Sequence, residues 1–576
     1  MHFNLFVTFT LLKEMLTDDK ITFVNISFGG AKMRKKIISL ILITIIIITT
    51  FCACGEKDGT GKALSYPVSA EPACLDPQIA TGDAALTTVY NTMLSLVKID
   101  NSNNIVPGAA ASWDISENKC VYTFHLKDGL RWHLLESTKE IAGSDFSGAL
   151  TSYDFAFGIK RTLMPETQSP FAKDFYIIKN GEEVNSGELS EDKLGIETPD
   201  SQTIRITLEK PSDEFLYLMA TSGAMPCNED FFNGTKGRYG LDVDYYLSCG
   251  PFYLSKWNHD ASIILRKNYN TEEGLNKTYT EFEYVTPASV TLYIQTGEDT
   301  IAEEVNDDKL SAAWVSSLTI DEFNDKEQSV TYYPAETWGF LINGGYSYAL
   351  SSTDLRKAFM LAMSPLSFNI NEGETSAGGV IPGACLLGGK SYRETAGNIS
   401  LPSTNTTYAK QLWDSELTRL GMKTLEVTVT CTERDEENVR IVIGQWQEVF
   451  GISFSAKINV VPIEDVMSTI NSGGYQIAFA PITASTSRTD DILKMFINGY
   501  GVYSENYSKM VEQALSADSS NKTELTKKCE EFLVQNYYVY PVVSRNKAFA
   551  LSPNCSGITY SSYLGVPLFE SGERYD

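Results

Sequence analysis

Residues 425–480 read LEVTVTCTERDEENVRIVIGQWQEVFGISFSAKINVVPIEDVMSTINSGGYQIAFA, and their periodicity decides the fold class. Leu425, Val427 and Val429 alternate with Glu426, Thr428 and Thr430, the period-two pattern of a strand. Val439, Val442, Ile443, Trp446, Val449 and Phe450 follow at three-and-four spacing, one apolar face of a helix. Ile452, Phe454, Ala456, Ile458 and Val460 alternate again and predict a second strand. Ile463, Val466, Met467 and Ile470 predict a short helix that Gly473 and Gly474 end. Residues 475–480 predict a third strand. This βαβαβ order makes the strands parallel neighbours in a sheet covered by helices. Two helices are predicted upstream, one carrying Leu355, Ala358, Phe359 and Ala362 on a face, the other Ala409, Leu412, Trp413 and Leu420. Residues 285–543 are therefore expected to form an α/β domain.

Outward from that core, residues 114–127 alternate in places and predict a strand pair turning at Glu117 and Asn118. Residues 203–208 predict another strand, stopped by Pro211. The near end of the chain has a different character. Residues 33–54, MRKKIISLILITIIIITTFCAC, begin with three basic residues, continue with 15 that are apolar, Ser or Thr, and end with Ala53 before Cys54. That is the three-part pattern of a secretory signal. The run is shorter than the ~18–20 residues of a spanning helix. Its ending resembles a bacterial lipobox, in which Cys54 is diacylated and becomes the first mature residue, although Phe51 is atypical. An uncleaved anchor helix is the alternative, and both place the rest of the chain outside the cytoplasm on a membrane tether. Residues 1–32 precede the signal, and Gly29-Gly30 codons can encode a ribosome-binding sequence, so translation is expected to start at Met33.

The chain carries a net charge of −26. Its first 53 residues hold six Lys/Arg and three Asp/Glu, which leaves about −29 on the 523 residues from Cys54. Such a balance argues against nucleic acid and against electrostatic adhesion to anionic lipid. Eight cysteines remain after Cys52 and Cys54: Cys74, Cys120, Cys227, Cys249, Cys385, Cys431, Cys529 and Cys555. They form no CxxC pair and no metal spacing, and two readings stand, disulfides or buried free thiols. Gly383-Ala-Cys-Leu-Leu-Gly-Gly-Lys-Ser391 superficially resembles a phosphate loop, but its lysine falls one residue late. No G-x-S-x-G elbow and no H-E-x-x-H occurs. The histidines after the signal, His125, His133 and His259, are too separated to suggest a zinc site. No catalytic residue, metal or cofactor is expected.

Several segments, taken in order, resemble the family 5 bacterial extracellular solute-binding proteins, the peptide-binding components of ABC importers. Glu71-Pro-Ala-Cys-Leu-Asp-Pro77 resembles their E-P-x-x-L-D-P, and Pro107-Gly-Ala-Ala-Ala-Ser-Trp113 followed by Tyr122-Thr-Phe-His-Leu-Lys-Asp-Gly-Leu-Arg-Trp132 resembles their A-x-x-W…Y-x-F-x-L-x-x-G-x-x-W. Tyr153-Asp-Phe-Ala-Phe157 with Lys160-Arg161, Cys249-Gly-Pro-Phe-Tyr-Leu-Ser-Lys-Trp257 with Asn268-Tyr269, Leu355-Arg-Lys-Ala358 and Pro541-Val-Val543 follow in the family's order. Read by themselves, Trp113, Trp132 and Trp257 are core aromatics, and Lys160-Arg161 is a solvated helix end.

The resemblance implies a two-lobed, periplasmic-binding-protein-like α/β fold (type II, cluster C) with a hinge and an interlobe cleft. It implies a signal at 33–53, a tether at 54–62, a first lobe at 63–284 with an extra subdomain near 96–204, a second lobe at 285–543 and a return to the first at 544–576. Crossings are expected near residues 282–291 and 540–547. It also implies a monomeric, lipid-anchored, extracytoplasmic component that delivers peptides to the permease and ATPase subunits of an importer. Alternatives are a non-peptide solute binder or peptide-signal receptor of the same fold, or a surface-anchored hydrolase. Expected ligand contacts are Glu71, Leu75, Phe171, Pro481, Ile482, Thr483, Ser485 and Arg488, with Arg488 a candidate partner for a ligand carboxylate. The sequence departs from the family where a Trp and an Asp follow the third strand. Those positions fall on Ile482 and Ser485, so Asp490 or Asp491 has to supply the charge for a peptide's α-amino group.

Overall fold

The computed structural model describes residues 62–575 other than 145, 269–281, 296–299, 316–329, 365–367 and 372–373. The expected signal and Cys54, most of the tether, the residues before them, and Tyr269 lie outside the described residues.

Three sheets organise the chain. Ala63–Val68 runs parallel to Ser289–Ile294, which pairs antiparallel with Ser262–Lys267, and that with Phe252–Asn258. The strand Ser289–Ile294, beyond residue 285, thus pairs within the first sheet. The expected hairpin is Ala110–Ile115 and Val121–Leu126, extended by Thr203–Thr207 and Ile196–Asp200 into a second, four-stranded sheet. These two sheets share one hydrophobic core, which also takes Ile558, Leu564, Val566 and Phe569 from the C-terminal return.

The third sheet has seven strands. Along its main path lie Ala312–Val315, Val539–Leu551, Val330–Ile342, Ile477–Ile482, Leu425–Cys431 and Phe454–Val460. Thr375–Ser376 pairs off this path with Val539–Leu551. Leu425–Cys431 is parallel to both Phe454–Val460 and Ile477–Ile482, as the βαβαβ reading requires. Side chains alternate through the sheet: Ile477 and Phe479 enter the core under the helices Thr353–Ala362, Thr406–Leu420 and Glu436–Phe450. Ala478, Ala480 and Ile482 enter the core on the opposite face, under Ile463–Asn471, Thr489–Met495 and Glu505–Leu515. The period of two therefore fills two cores from one strand.

Boundaries shift where local chemistry wins over periodicity. Gly451, at φ 66°, ends the helix Glu436–Phe450 and opens the turn Gly451–Ser453. Ile452 consequently points to solvent at 99% exposure, and the second strand starts at Phe454. The third strand is Ile477–Ile482, later than its apolar run suggested. Pro481 is tolerated because pairing to Leu425–Cys431 stops at Ala478, leaving a partner on one side only.

The reading of Lys160-Arg161 as a solvated helix end is corrected. Arg161 lies in the helix Ser152–Leu163 at 4% exposure. Its guanidinium donates to both carboxylate oxygens of Asp76, at 3.0 and 2.6 Å, and to Gln78 Oε1 at 2.7 Å. It also stacks over the Phe232 ring at 3.9 Å. The E-P-x-x-L-D-P segment is thereby clamped onto the helix by a forked pair in a dry site. Trp132 and Trp257 are buried as expected, whereas Trp113 is half-buried. Replacing Asp76 by Ala strands the buried guanidinium, so it is expected to cost about 3–5 kcal/mol. Arg161→Lys is expected to recover little of the clamp, since an ammonium lacks the fork; chemical denaturation of the three proteins reads both effects.

Candidate functional site

The strand Ile477–Ile482 carries the chain out of the seven-stranded sheet and into residues 483–487, which lie between the two lobes. Ser487 is fixed from both sides: its carbonyl accepts from Leu386 N at 2.6 Å, and its N–H donates to Ser562 O at 2.6 Å. The first contact comes from the second lobe and the second from the C-terminal return. Just before it, Ala484, Ser485 and Thr486 make no hydrogen bond to another main-chain group among the described residues. Tyr560 donates its hydroxyl to Ser485 O at 3.4 Å. Gly565, at φ 74°, allows the return turn to pass over that carbonyl, since a β-carbon there would lie 2.4 Å from it. Thr483 keeps a buried hydroxyl with no partner among the described residues.

A crevice opens along this segment. Its walls include Trp314, Tyr333, Ala384, Ser485, Thr486 and Tyr560. Trp314 sits in the strand Ala312–Val315, Tyr333 in Val330–Ile342, and Tyr560 in Thr559–Ser561 of the return. Trp314 and Tyr560 stack with centroids 4.1 Å apart and planes at 11°, and Tyr333 lies 5.3 Å from Trp314. Burial shifts the ionisation of Tyr333 to higher pH and, with Tyr333 and Asp83 adding to it, that of Tyr560, so both stay neutral phenols.

Flanking the crevice, the first lobe offers acids and the second offers bases. Asp174 receives Arg488 Nη2 at 3.0 Å and Lys494 Nζ at 2.8 Å. Lys522, 7% exposed at its side chain, bridges Asp490, at 2.9 Å, to Glu214 of the first lobe. Burial alone would raise the Asp174 carboxyl, but Arg488 and Lys494 outweigh it and hold it well below the usual carboxylate range. Burial likewise opposes the charge of Lys522, and Asp490 with Glu214 outweighs it, raising its ionisation. The phosphate-loop lookalike proves to be part of the same contact. Leu386–Leu387 and Lys390–Ser391 form a hairpin whose tip, Gly388-Gly389, has φ of 57° and 72°. Gly388 N donates to Glu214 Oε1 at 3.2 Å, and Gly389 lies against the Tyr217 hydroxyl.

The expected contact residues disperse. Ser485 lines the crevice, Thr483 adjoins it, and Arg488 is taken by Asp174. Phe171 is half-buried against the first core, three residues before Asp174. Pro481 and Ile482 are buried strand residues, and Leu75 is in the first core at 0% exposure. Glu71 is occupied by its own lobe: it accepts from Trp257 Nε1 at 2.8 Å and Asp260 N at 3.0 Å, and pairs with His259 at 2.7 Å. Trp314, Tyr333, Tyr560, Asp174, Glu214 and Lys522 were not foreseen. Among the described residues no group of His, Cys, Asp or Glu could hold a metal ion, and no helix is long and apolar enough to cross a membrane.

Two lobes with separate cores, joined across a cleft, define the type II binding-protein fold. Comparison bears this out: the substrate-binding domain of an oligopeptide ABC transporter from Bacillus anthracis superposes with a TM-score of 0.67, at 22% identity, over 90% of this chain and all of that one. Listeria monocytogenes OppA bound to peptide matches equally well in TM-score, 0.67, at 20% identity over 90% and 100% of the two chains. The sequence profile of bacterial extracellular solute-binding proteins, family 5 (middle), matches residues 104–504, and the chain belongs to that family. The dipeptide-binding protein DppE of Bacillus subtilis is 23% identical over 515 residues, 87% of this chain and 90% of that protein. A dipeptide-binding protein of Lactococcus lactis is 22% identical over 92% and 97% of the two.

The depressed Asp174 contributes to closure fully above its unfolded value of about 4 and loses that contribution only as pH falls through its lowered one. The raised Lys522 contributes fully below about 10.4 and loses it as pH rises through its raised value. Lobe closure, followed by small-angle scattering, is thus expected to be flat from about pH 4 to about pH 10. Asp174→Asn leaves two bases unpaired and is expected to weaken closure by about 2–5 kcal/mol.

Proposed function

We propose that this chain captures extracellular peptides for an ABC importer, tethered outside the membrane by lipid on Cys54 and passing its cargo to the permease. The observation that carries the peptide reading is the run Ala484 to Thr486. Its main-chain groups lie along a crevice between the lobes and are spoken for by no other main-chain group among the described residues. An extended peptide laid on such an edge gains affinity from backbone hydrogen bonds whatever its side chains. The names of the relatives, dipeptide-binding proteins of two bacteria, support the same ligand class. Closure then follows because a ligand touching both lobes favours the shut state.

The α-amino group of the peptide is assigned to Asp491. Of the two candidate carboxylates, Asp490 is already bonded to the Lys522 ammonium. Asp491 accepts the hydroxyl of Thr486, a crevice residue, and forms no ion pair among the described residues. A carboxylate reserved in this way discriminates by charge at one end of the ligand. Arg488 is held by Asp174 and leaves the ligand's carboxylate to another partner.

Titration calorimetry with a pool of free tri- and tetrapeptides is expected to show binding, accompanied by closure in small-angle scattering. Asp491→Asn is expected to lower the affinity of free peptides at least tenfold, about 1.4 kcal/mol, while sparing N-acetylated ones. A pool that neither binds nor closes the lobes sinks the peptide reading. Cys54→Ser is expected to move the protein from the membrane fraction into the soluble one.

A further inference from the structure

Away from the crevice, the second lobe ends in three loops of one composition. Residues 343–351 (NGGYSYALS), 471–475 (NSGGY) and 498–504 (NGYGVYS) are all Tyr, Gly, Ser or Asn except Ala349, Leu350 and Val502. None of them is charged, in a chain where 21% of residues are. The first loop follows Val330–Ile342 and the second precedes Ile477–Ile482, whereas Tyr333 and Ser485 of the crevice lie toward the opposite ends of those strands. Six strand residues put about 20 Å between the two places. The loops meet one another. Gly344 N donates to Gly501 O at 3.0 Å, and the Asn343 side-chain amide donates to Gly473 O and Tyr475 O, each at 3.0 Å. Gly345 is the seat of the Tyr503 ring, since a β-carbon there would collide with it. Around this junction Tyr346, Tyr348 and Tyr503 are 47%, 74% and 54% exposed. Beneath it, buried Tyr475 keeps a hydroxyl with no partner among the described residues.

We propose that these loops form a second binding surface, separate from the cleft, for a neutral glycan chain. A pyranose ring carries C–H groups on its faces, hydroxyls around its rim and no charge. Tyr346, Tyr348 and Tyr503 offer aromatic faces for the first. Asn471 and Asn498, exposed on the neighbouring loops, offer hydrogen bonds for the second. Tyr rings give contact area at low entropic cost, and Ser, Gly and Asn adapt their hydrogen bonds to the ligand. Size also selects the occupant. Nine of the loop residues are exposed, where a stable protein interface takes about 20–30 a side. The uncharged surface also stops along the chain at Asp354 and Glu505. A protein partner would overrun it onto charged ground, whereas a few linked sugars fit within it.

The test titrates the full mature protein calorimetrically with hexamers of β-1,4-linked N-acetylglucosamine, β-1,4-linked glucose and α-1,4-linked galacturonic acid. At least one neutral hexamer is expected to bind, at least tenfold more tightly than the acidic one. Tyr346→Ala combined with Tyr503→Ala is expected to lower that affinity at least tenfold. Tyr346→Phe combined with Tyr503→Phe keeps the rings and is expected to stay within threefold. Circular dichroism is expected to be the same for all three proteins, so the loss reports the rings and not the fold. Failure of both neutral hexamers to bind, or binding no tighter than that of the acid, overturns the proposal and leaves peptide capture standing. Binding that survives loss of the rings, or that a peptide pool displaces, belongs elsewhere on the molecule and overturns it too. Self-association in sedimentation that the alanine variant abolishes, with no glycan bound, overturns it in favour of a second copy of the chain.

Discussion

The antiparallel ladder between Val330–Ile342 and Val539–Leu551 is the constraint on which the rest of the second lobe depends. It joins segments about two hundred residues apart, so everything between them has to be folded against a closed loop. Ala312–Val315 attaches to one flank of the ladder and Ile477–Ile482 to the other. The ladder is pinned by charge as well as by backbone bonds. Arg545, in the return strand at 1% exposure, donates to both oxygens of Asp435, at 3.0 and 2.6 Å, and to Glu374 at 2.7 Å. A slip of one residue would turn this guanidinium to the other face and unpair it. Tyr333 rides on one strand of this ladder and Trp314 on the strand attached to its flank, so two of the three rings of the aromatic crevice take their places from this pairing.

The lobe contact divides the charges by sign, acids from the first lobe and bases from the second. Each pair is worth more than a surface salt bridge because Asp174, Arg488 and Lys522 are mostly shielded from water. The lobe contact therefore has favourable electrostatics without any ligand, and a ligand shifts the arrangement only by its differential affinity for it.

Much of the fold was legible in the sequence, and less of the site. The βαβαβ core could be read because each element carries its own period: Val439, Val442, Trp446 and Phe450 are buried on one helix face as spaced. The family resemblance rested on local motifs and was sound. What stayed hidden depends on meetings between distant residues. Nothing near Arg161 in sequence announces Asp76, 85 residues away, so a lysine–arginine pair at a helix end looked solvated. Trp314, Tyr333 and Tyr560 are brought together by three strands of three different pairings. Ile482 and Ser485, matched to the same family motif, differ in fate because the strand ends between them: the first is core and the second faces the crevice.

The cysteines carry a consequence for how the protein comes to be. All eight in the described residues are free thiols, and six are buried. Burial pushes the thiols of Cys227, Cys431 and Cys529 up to about 12, so little of these three is thiolate in the finished protein. For a member of an extracellular family, mispairing of the six buried thiols is then a hazard of the unfolded chain. The interval that matters is the one between emergence from the export machinery and collapse of the two cores. Fast burial of those thiols protects the chain in an oxidising compartment, and native structure neither waits for an oxidant nor fails under a reductant.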